Sequence, residues 1–431
     1  MMTTVDVIHA HFTRCNGVST DTRSLTPGSL FVALKGPNFD ANRFAAQALE
    51  QGCRYAIVDD PAVATDERYL LVSDVLSTLQ ELGRFHRRRF DIPFVGITGS
   101  NGKTTTKELA FAVLNAAMPT LATTGNLNNH IGVPLTLLRV TEEHRIALIE
   151  MGANKPGDIA ELCAIAEPTH GVLTNVGKAH LEGFGSLEGV LRTKTELYRS
   201  VRERDGLLFV HADDPVLMQE STGCRRHTYG RSAEASTSGD LLRTGPFMSM
   251  AFAGNDGLVY EVETRLIGGY NLSNALAAVA LGQHFGVPDE VIATGLATYM
   301  PTNNRSQLTD TGRNRLVLDA YNANPGSMRV AVENFAALHS ERPKLVILGD
   351  MRELGSISAE EHRNVVELVD RMGLSAIYVG EEFCRAVEKG SRTFTDVAGA
   401  LHSLEHSPVR GHLVLIKGSR GIRLESLLPA L

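Results

Sequence analysis

The sequence predicts an α/β protein in three domains: a small N-terminal α/β domain over residues 1–91, a central parallel-sheet domain over 92–301 and a smaller α/β domain over 302–431. Three observations carry this. Short apolar runs of strand length alternate with helical periodicity along the chain, as in strands joined by crossover helices. The pattern changes at Asp91-Ile92-Pro93 and again at Met300-Pro301-Thr302-Asn303-Asn304. Finally, 431 residues at roughly 100–200 per domain divide into two to four units, each able to bury a core.

In the first domain, Leu30-Phe31-Val32-Ala33-Leu34 and Tyr55-Ala56-Ile57-Val58 read as strands, with a helix around residues 44–51 between them. Ser73 reads as a helix N-cap, because Val75, Leu79, Leu82 and His86 repeat behind it at helical spacing. That helix ends in Arg87-Arg88-Arg89, read as a solvated end whose cations suit the C-terminal dipole rather than as a phosphate contact. In the second domain, residues 94–98, 146–149 and 171–175 read as strands and 104–115 as a helix, which argues for a parallel sheet covered on both faces. Residues 221–257 are polar and rich in Gly and Ser and read as inserted hairpins or loops; residues 268–285 read as an Ala-rich helix after a Gly-Gly turn. In the third, residues 316–318, 345–348, 376–379 and 413–416 are four strands separated by helices, enough for an open, Rossmann-like α/β sheet.

Composition narrows the function. Lys and Arg total 42 against 49 Asp and Glu, a net charge of −7, and the pI is near 6.1. This disfavours nucleic acid as a partner, since phosphate backbones require concentrated positive charge. Hydrophobic residues at 43% and charged residues at 21% exclude a mainly disordered chain. No apolar run approaches the ~20 residues that span a bilayer, and Met1-Met2-Thr3-Thr4-Val5-Asp6 is not a secretory leader. The five cysteines are scattered and never spaced as Cys-x-x-Cys, so neither structural zinc nor a disulfide framework is expected, and a cytoplasmic location fits. No obligate protein partner is evident.

The strongest motif is Thr98-Gly99-Ser100-Asn101-Gly102-Lys103-Thr104-Thr105-Thr106, directly after a strand and before a helix. In that setting backbone N–H groups and the helix N-terminus surround phosphate oxygens, Lys103 reaches the β- and γ-phosphates, and Thr104 can hold Mg²⁺. The strict Gly-x-x-x-x-Gly-Lys-Thr pattern is missed by one position, its first glycine falling at Ile97 while the glycine is Gly96. The motif makes the central domain P-loop-type and indicates a nucleotide, not a reaction. Glu150, at the carboxyl end of a strand beside this loop, is placed to complete a Mg²⁺ shell with hard oxygen. His180, after the next strand, and Lys194, in a helix, are not assigned by spacing alone; each also reads as polar surface.

Longer segments carry a family resemblance. Residues 98–107, Gly125-Asn126-Leu127-Asn128-Asn129-His130-Ile131-Gly132 and Glu150-Met151-Gly152 resemble the Mur ligases of bacterial cell-wall synthesis. So do Thr174-Asn175-Val176-Gly177-Lys178-Ala179-His180, Lys194-Thr195-Glu196, Asn271-Leu272-Ser273-Asn274, Asp319-Ala320-Tyr321-Asn322-Ala323-Asn324-Pro325, Gly349-Asp350-Met351-Arg352-Glu353-Leu354-Gly355 and Lys417-Gly418-Ser419-Arg420. The matches reach all three domains. Asn128-Asn129 and residues 321–325 favour the member that joins D-alanyl-D-alanine to UDP-N-acetylmuramoyl-tripeptide; a third-residue-adding ligase, a folylpolyglutamate-type ligase and a P-loop phosphotransferase are the alternatives.

The resemblance implies an ATP-dependent ligase working through an acyl phosphate, with two Mg²⁺ ions. Gly99, Ser100, Asn101, Gly102, Lys103, Thr104 and Thr105 would hold the ATP phosphates, Asn274 would meet adenine, Arg305 the γ-phosphate and Asp319 the ribose. Thr104 and Glu150 would ligate the first Mg²⁺; His180 and a carbamylated Lys194 would ligate the second. Lys103, His180, Lys194 and Arg305 would be the catalytic set. Ser19, Asp21 and Arg23 would receive the UDP end, and Tyr321, Asn322 and Asn324 the dipeptide. The C-terminal domain would close over the central one, bringing Arg305 and Asp319 to ATP. Two positions depart from the family pattern: Asn304 replaces a frequent glycine, and Asp40-Ala41-Asn42-Arg43-Phe44 replaces Asp-Gly-His-x-Phe.

Overall fold

Strands that are apolar on both faces must be covered on both, and two such runs, Phe94–Thr98 and Ile146–Glu150, are buried at every residue. In the computed structural model, which describes residues 2–302, 305–388 and 392–431, they lie side by side within a nine-stranded sheet. Its order runs Val259–Glu263, Ser249–Ala253, Thr237–Arg243, Arg225–Gly230, Leu207–His211, His170–Leu173, Phe94–Thr98, Ile146–Glu150, Thr120–Ala122. The strands pair in parallel from Thr120–Ala122 as far as Thr237–Arg243, and the last two are added antiparallel.

One face packs on the helices Lys103–Asn115, Leu272–His284 and Asp289–Thr298, the other on Asp158–Ala166 and Glu196–Glu203. Helix Leu272–His284 is buried nearly all round, which explains its alanines: small side chains let it lie close against Lys103–Asn115. It begins at Leu272 rather than Gly268, because Gly269–Asn271 forms a 3₁₀ turn. Residues 221–257, expected as inserted hairpins or loops, do hold an antiparallel hairpin, Thr237–Arg243 with Ser249–Ala253, but it is continuous with the central sheet rather than an insertion. They contribute three regular strands to the central sheet, and their polar character reflects a sheet margin with one solvated face.

The N-terminal sheet is parallel, in the order Val18–Ser19, Leu30–Val32, Tyr55–Val58, Tyr69–Leu71. The C-terminal sheet has six strands, ordered Gln307–Asp310, Arg315–Asp319, Leu413–Lys417, Lys344–Gly349, Ser375–Val379, Thr393–Phe394. All four strands expected there are present, with Gln307–Asp310 and Thr393–Phe394 added at the margins. Asn303 and Asn304, including the departure at Asn304, lie outside the described residues. The departure at Asn42 has a structural account. Asn42 is buried, its Nδ2 donating to Asp40 and Asp59 at 2.8 Å each, and its Oδ1 accepting from the Asp59 amide at 3.1 Å.

Two expectations need correction. Asp74, not Ser73, caps the helix Val75–Arg87, its carboxylate accepting from the Ser77 amide at 2.6 Å. Arg87 is also not a solvated helix end. It is buried, its guanidinium lies 4.0 Å from the Phe94 ring centre, and it donates to the carbonyls of Ala166 and Glu167 at 3.0 and 2.9 Å. A cation thus satisfies the last carbonyls of Asp158–Ala166, the helix against which its own helix packs. Arg88 does remain at the surface, paired with Glu167.

A second tie to the central domain runs through a buried imidazole pair that joins helix Val5–Phe12 to helix Val75–Arg87. His86 Nε2 lies 2.9 Å from the Val140 carbonyl, which can only accept, so Nε2 carries the proton and Nδ1 accepts from His9 Nε2 at 3.0 Å. Burial, reinforced by the neighbouring His86 and Arg89, pushes His9 down to about 4, and burial also lowers His86.

Two outcomes are expected. Arg87→Ala leaves two carbonyls without a partner and should cost about 2 kcal/mol in urea unfolding, whereas Arg88→Ala should cost less than about 1 kcal/mol; equal costs would contradict the distinction. Because unfolded histidines titrate near 6.5 and bind protons that His9 refuses when folded, stability is complete above that pH and is lost as pH falls toward 4. Melting curves from pH 7 to 4 should show this decline, and His9→Phe should make it shallower, the buried His170 and His227 still contributing.

Candidate active site

Strand Phe94–Thr98 lies where the connections turn to opposite sides of the sheet, and ligands of open parallel sheets bind outside the carboxyl ends at such a point. Register pairs Ile97 with Glu150 and Thr98 with Leu173, so the loops after all three strands meet.

The loop of Gly99–Gly102 is held in shape by its neighbour. Gly99 has φ +148° and Gly102, the N-cap of helix Lys103–Asn115, has φ +79°. A Cβ at Gly99 would collide with the Thr174 hydroxyl, and one at Gly102 with the Asn274 amide. Thr174 Oγ1 and Asn175 Nδ2 donate to the Asn101 carbonyl at 2.6 and 3.0 Å, while Asn175 Oδ1 accepts from the Asn101 amide at 3.0 Å. The Ser100 amide donates to the Asn175 carbonyl at 2.9 Å. Lys103 Nζ donates to the carbonyls of Gly99 at 2.6 Å and Ser100 at 3.3 Å. Its burial, aided by Arg305 and opposed by Glu150, brings the ammonium pKa down to about 8.

Glu150 is 1% exposed. Its amide donates to Thr123 Oγ1 at 3.0 Å, and its Oε1 accepts from Asn128 Nδ2 at 2.7 Å. Oε2 is buried without a hydrogen-bond partner, a bare hard oxygen beside the phosphate loop. Thr123 is held in turn by Lys107, whose Nζ donates to its carbonyl at 2.6 Å. Asn128 and Lys107 lie in matched segments but carry no assigned role, and Thr123 has no signal in the sequence; their link to Glu150 comes from the fold. The adjacent Asn129 does a different job, its Oδ1 accepting from the amides of Ile131 and Gly132 at the start of helix Gly132–Leu137.

His180 stands in the left-handed region at φ +52°, with Nδ1 against Glu353 Oε2 from the C-terminal sheet's loops. Burial foremost lowers its pKa. Lys194 ends helix Leu187–Lys194, is 2% exposed, and its Nζ is 5.8 Å from the Phe184 ring centre. Burial, then the charge of Lys103, holds its ammonium well below the usual lysine range.

The cleft holding these groups has a volume of about 1190 Å³. Its walls include Ser100 to Thr105, Glu150, His180, Asn274, Arg305, Asp319, Tyr321, Asn322 and Asn324, so fourteen of the predicted positions share one cavity. Asn274 also has structural work: Oδ1 accepts from Thr106 Oγ1 at 3.1 Å and Nδ2 donates to Asn271 at 2.9 Å. The Arg305 guanidinium stacks 3.8 Å from the Tyr321 ring centre. Asp319 pairs with buried Lys417 at 2.6 Å, a contact set by the parallel register of their strands. Asn324 caps helix Pro325–Ala337 and donates through Nδ2 to Asn101 Oδ1 at 2.7 Å. Gly99, Lys194, Ser19, Asp21 and Arg23 do not line the cavity: Ser19 bonds Ser29 at 2.9 Å, and Arg23 pairs with Asp21 at the surface.

Among the described residues, no three His, Cys, Asp or Glu side chains cluster as a metal cage. Mg²⁺ needs none, since it takes one or two protein oxygens and fills its shell with water and substrate phosphates. The unpartnered Glu150 oxygen beside Thr104 fits that requirement.

Comparison with known proteins gives the family. The chain matches family models described as the Mur ligase family catalytic domain over residues 14–87, the Mur ligase middle domain over 97–282, and the Mur ligase glutamate ligase domain over 304–420. It is 35% identical to the UDP-N-acetylmuramoyl-tripeptide--D-alanyl-D-alanine ligase of Bacillus subtilis, covering 96% of this chain and 93% of that one. It is 36% identical to the ligase of that name from Escherichia coli over the same shares. Among solved structures it resembles MurF from Acinetobacter baumannii, with a TM-score of 0.87 and 30% identity, covering 100% and 98% of the two chains. It also resembles MurF ligase from Thermotoga maritima in complex with ADP, with a TM-score of 0.84 and 29% identity over 96% of each. The chain belongs to the Mur ligase family.

Proposed function

We infer that this protein is an ATP-dependent amide ligase that joins D-alanyl-D-alanine to UDP-N-acetylmuramoyl-tripeptide, with release of ADP and phosphate, in peptidoglycan precursor synthesis. The observation that carries this reading is the shared cleft, where a pre-shaped phosphate loop, a bare carboxylate oxygen and C-terminal groups face one another. The full-length relatives bearing that name support the choice of substrates. The cytoplasm is the proposed place of work, and the proposed division of labour gives residues 1–91 the UDP end, 92–301 ATP, and 302–431 closure and the dipeptide.

In the proposed mechanism a substrate carboxylate attacks the γ-phosphate of ATP, breaking the bond to the β-phosphate oxygen, and ADP leaves. The free amine of the dipeptide then attacks the acyl carbon, loses a proton, and phosphate departs as the amide forms. The chain's task is to bring anions together and stabilise the charge that develops. Lys103 and the Gly99–Gly102 amides bind the phosphates, Arg305 meets the γ-phosphate, and Asn274 and Asp319 orient the nucleoside. Tyr321, Asn322 and Asn324 receive the dipeptide, and Ser19, Asp21 and Arg23 the UDP end. Bound Mg²⁺ supplies further neutralisation of phosphate charge, with Thr104 and Glu150 holding one ion and His180 and Lys194 the second.

An ammonium cannot ligate a cation, so Lys194 serves only as a carbamate: its neutral amine adds to the carbon of CO₂ and releases one proton. Burial beside Lys103, which disfavours the ammonium, supports this modification.

Two measurements test the reading. Incubation with ATP, Mg²⁺, D-alanyl-D-alanine and UDP-muramoyl tripeptides carrying either diaminopimelate or lysine should yield an amide product by mass, and phosphate release without amide would contradict it. Lys194→Ala should lose about 100-fold or more in kcat, with partial recovery in short-chain carboxylic acids; full activity would remove Lys194 from the site.

A further inference from the structure

We propose that Glu353 is a positioning residue for His180, supplied by the C-terminal domain, so that the metal position at His180 is completed only when that domain is seated. The inference rests on the reading of His180 as a metal ligand. A ligating imidazole offers one nitrogen to the ion and needs its other N–H fixed by a carboxylate or carbonyl, which sets both tautomer and ring orientation. Here Nδ1 faces Glu353 Oε2, so Nε2 is the nitrogen left for a ligand.

Glu353 is set apart from the other carboxylates of the cleft. Glu150 is held by Asn128, Asp319 is paired with Lys417, and Asp158 accepts from the amides of Asn154 and Lys155. The Glu353 side chain is 56% exposed and meets His180 across the domain boundary, so it has no comparable part in holding the fold. The backbone at this contact is unusual on both sides. His180 has φ +52° and Glu353 φ +63°, a region that residues other than glycine rarely adopt. The two segments are also joined directly, the Glu182 amide donating to the Glu353 carbonyl at 3.3 Å. Lys178 with Glu361 at 2.8 Å flanks the contact and seats the C-terminal domain on the loop that carries His180.

The arrangement has a chemical consequence. An acyl phosphate exposed to water is hydrolysed, so its formation is best delayed until the dipeptide-bearing domain covers the cleft. Orientation of His180 by a residue of that domain supplies the delay.

The test uses the full-length protein with a non-hydrolysable ATP analogue and Mn²⁺ as the probe, bound metal being counted by electron paramagnetic resonance. Glu353→Ala should weaken Mn²⁺ binding about 10- to 100-fold, while Glu353→Gln, which still accepts a hydrogen bond, should recover much of it. The metal-free unfolding midpoint should not move in either variant. Wild-type Mn²⁺ binding in Glu353→Ala, with weakened binding in His180→Ala, would overturn this inference alone. Wild-type binding in both would overturn the metal reading of His180 as well. A fall in the metal-free midpoint without loss of Mn²⁺ affinity would assign Glu353 a structural part and also overturn the proposal.

Discussion

The amide group of Asn175 grips both the N–H and the C=O of Asn101, and the rest of the site takes its position from that clamp. A glycine-rich loop has many conformations available, and the entropy of holding one of them must be met by contacts from outside the loop. Here they come from the end of the neighbouring parallel strand, through Thr174, Asn175 and Gly177. The same packing leaves no room for a side chain at Gly99, so the loop and the strand end constrain each other.

The second constraint is electrostatic. Lys103, Arg305 and Lys194 gather around one cleft in a protein whose net charge is −7; beyond the effect of burial, Arg305 makes Lys103 harder to protonate, and Lys103 does the same to Lys194. Bound phosphates would relieve that repulsion, so the cleft is matched to anionic ligands before they arrive. Glu150 is the counterweight inside the cleft, held by Asn128 with one oxygen turned free.

The domains are joined by contacts of different character. Buried Arg87, on the Ala166 and Glu167 carbonyls, and buried His86, on the Val140 carbonyl, tie the N-terminal and central parts through groups withdrawn from water. The C-terminal domain meets the central one through polar and charged pairs, Asn324 with Asn101, Lys178 with Glu361 and His180 with Glu353. A boundary made of polar pairs is of the kind that permits relative domain motion, which suits the closure proposed for the C-terminal domain.

The fold class and the phosphate loop were legible along the chain because they depend on local order: an apolar strand, glycines, a lysine and a helix in succession. Segment matches extended that to the family and to fourteen positions that the fold gathers into one cavity. Where local reading failed, tertiary packing decided. Arg87 reads as a solvated cation until the helix Asp158–Ala166 presents its open carbonyls. Residues 221–257 read as an insertion of hairpins or loops because strands at a sheet margin keep a polar face. The sequence by itself determined which chemical groups are present and the order in which strands and helices carry them. Only the tertiary structure decided that Asn128 holds Glu150, that Lys417 pairs with Asp319 and that Glu353 meets His180. The reason is physical: strand register and domain docking join residues 22, 98 and 173 positions apart, and no local propensity encodes a contact of that kind.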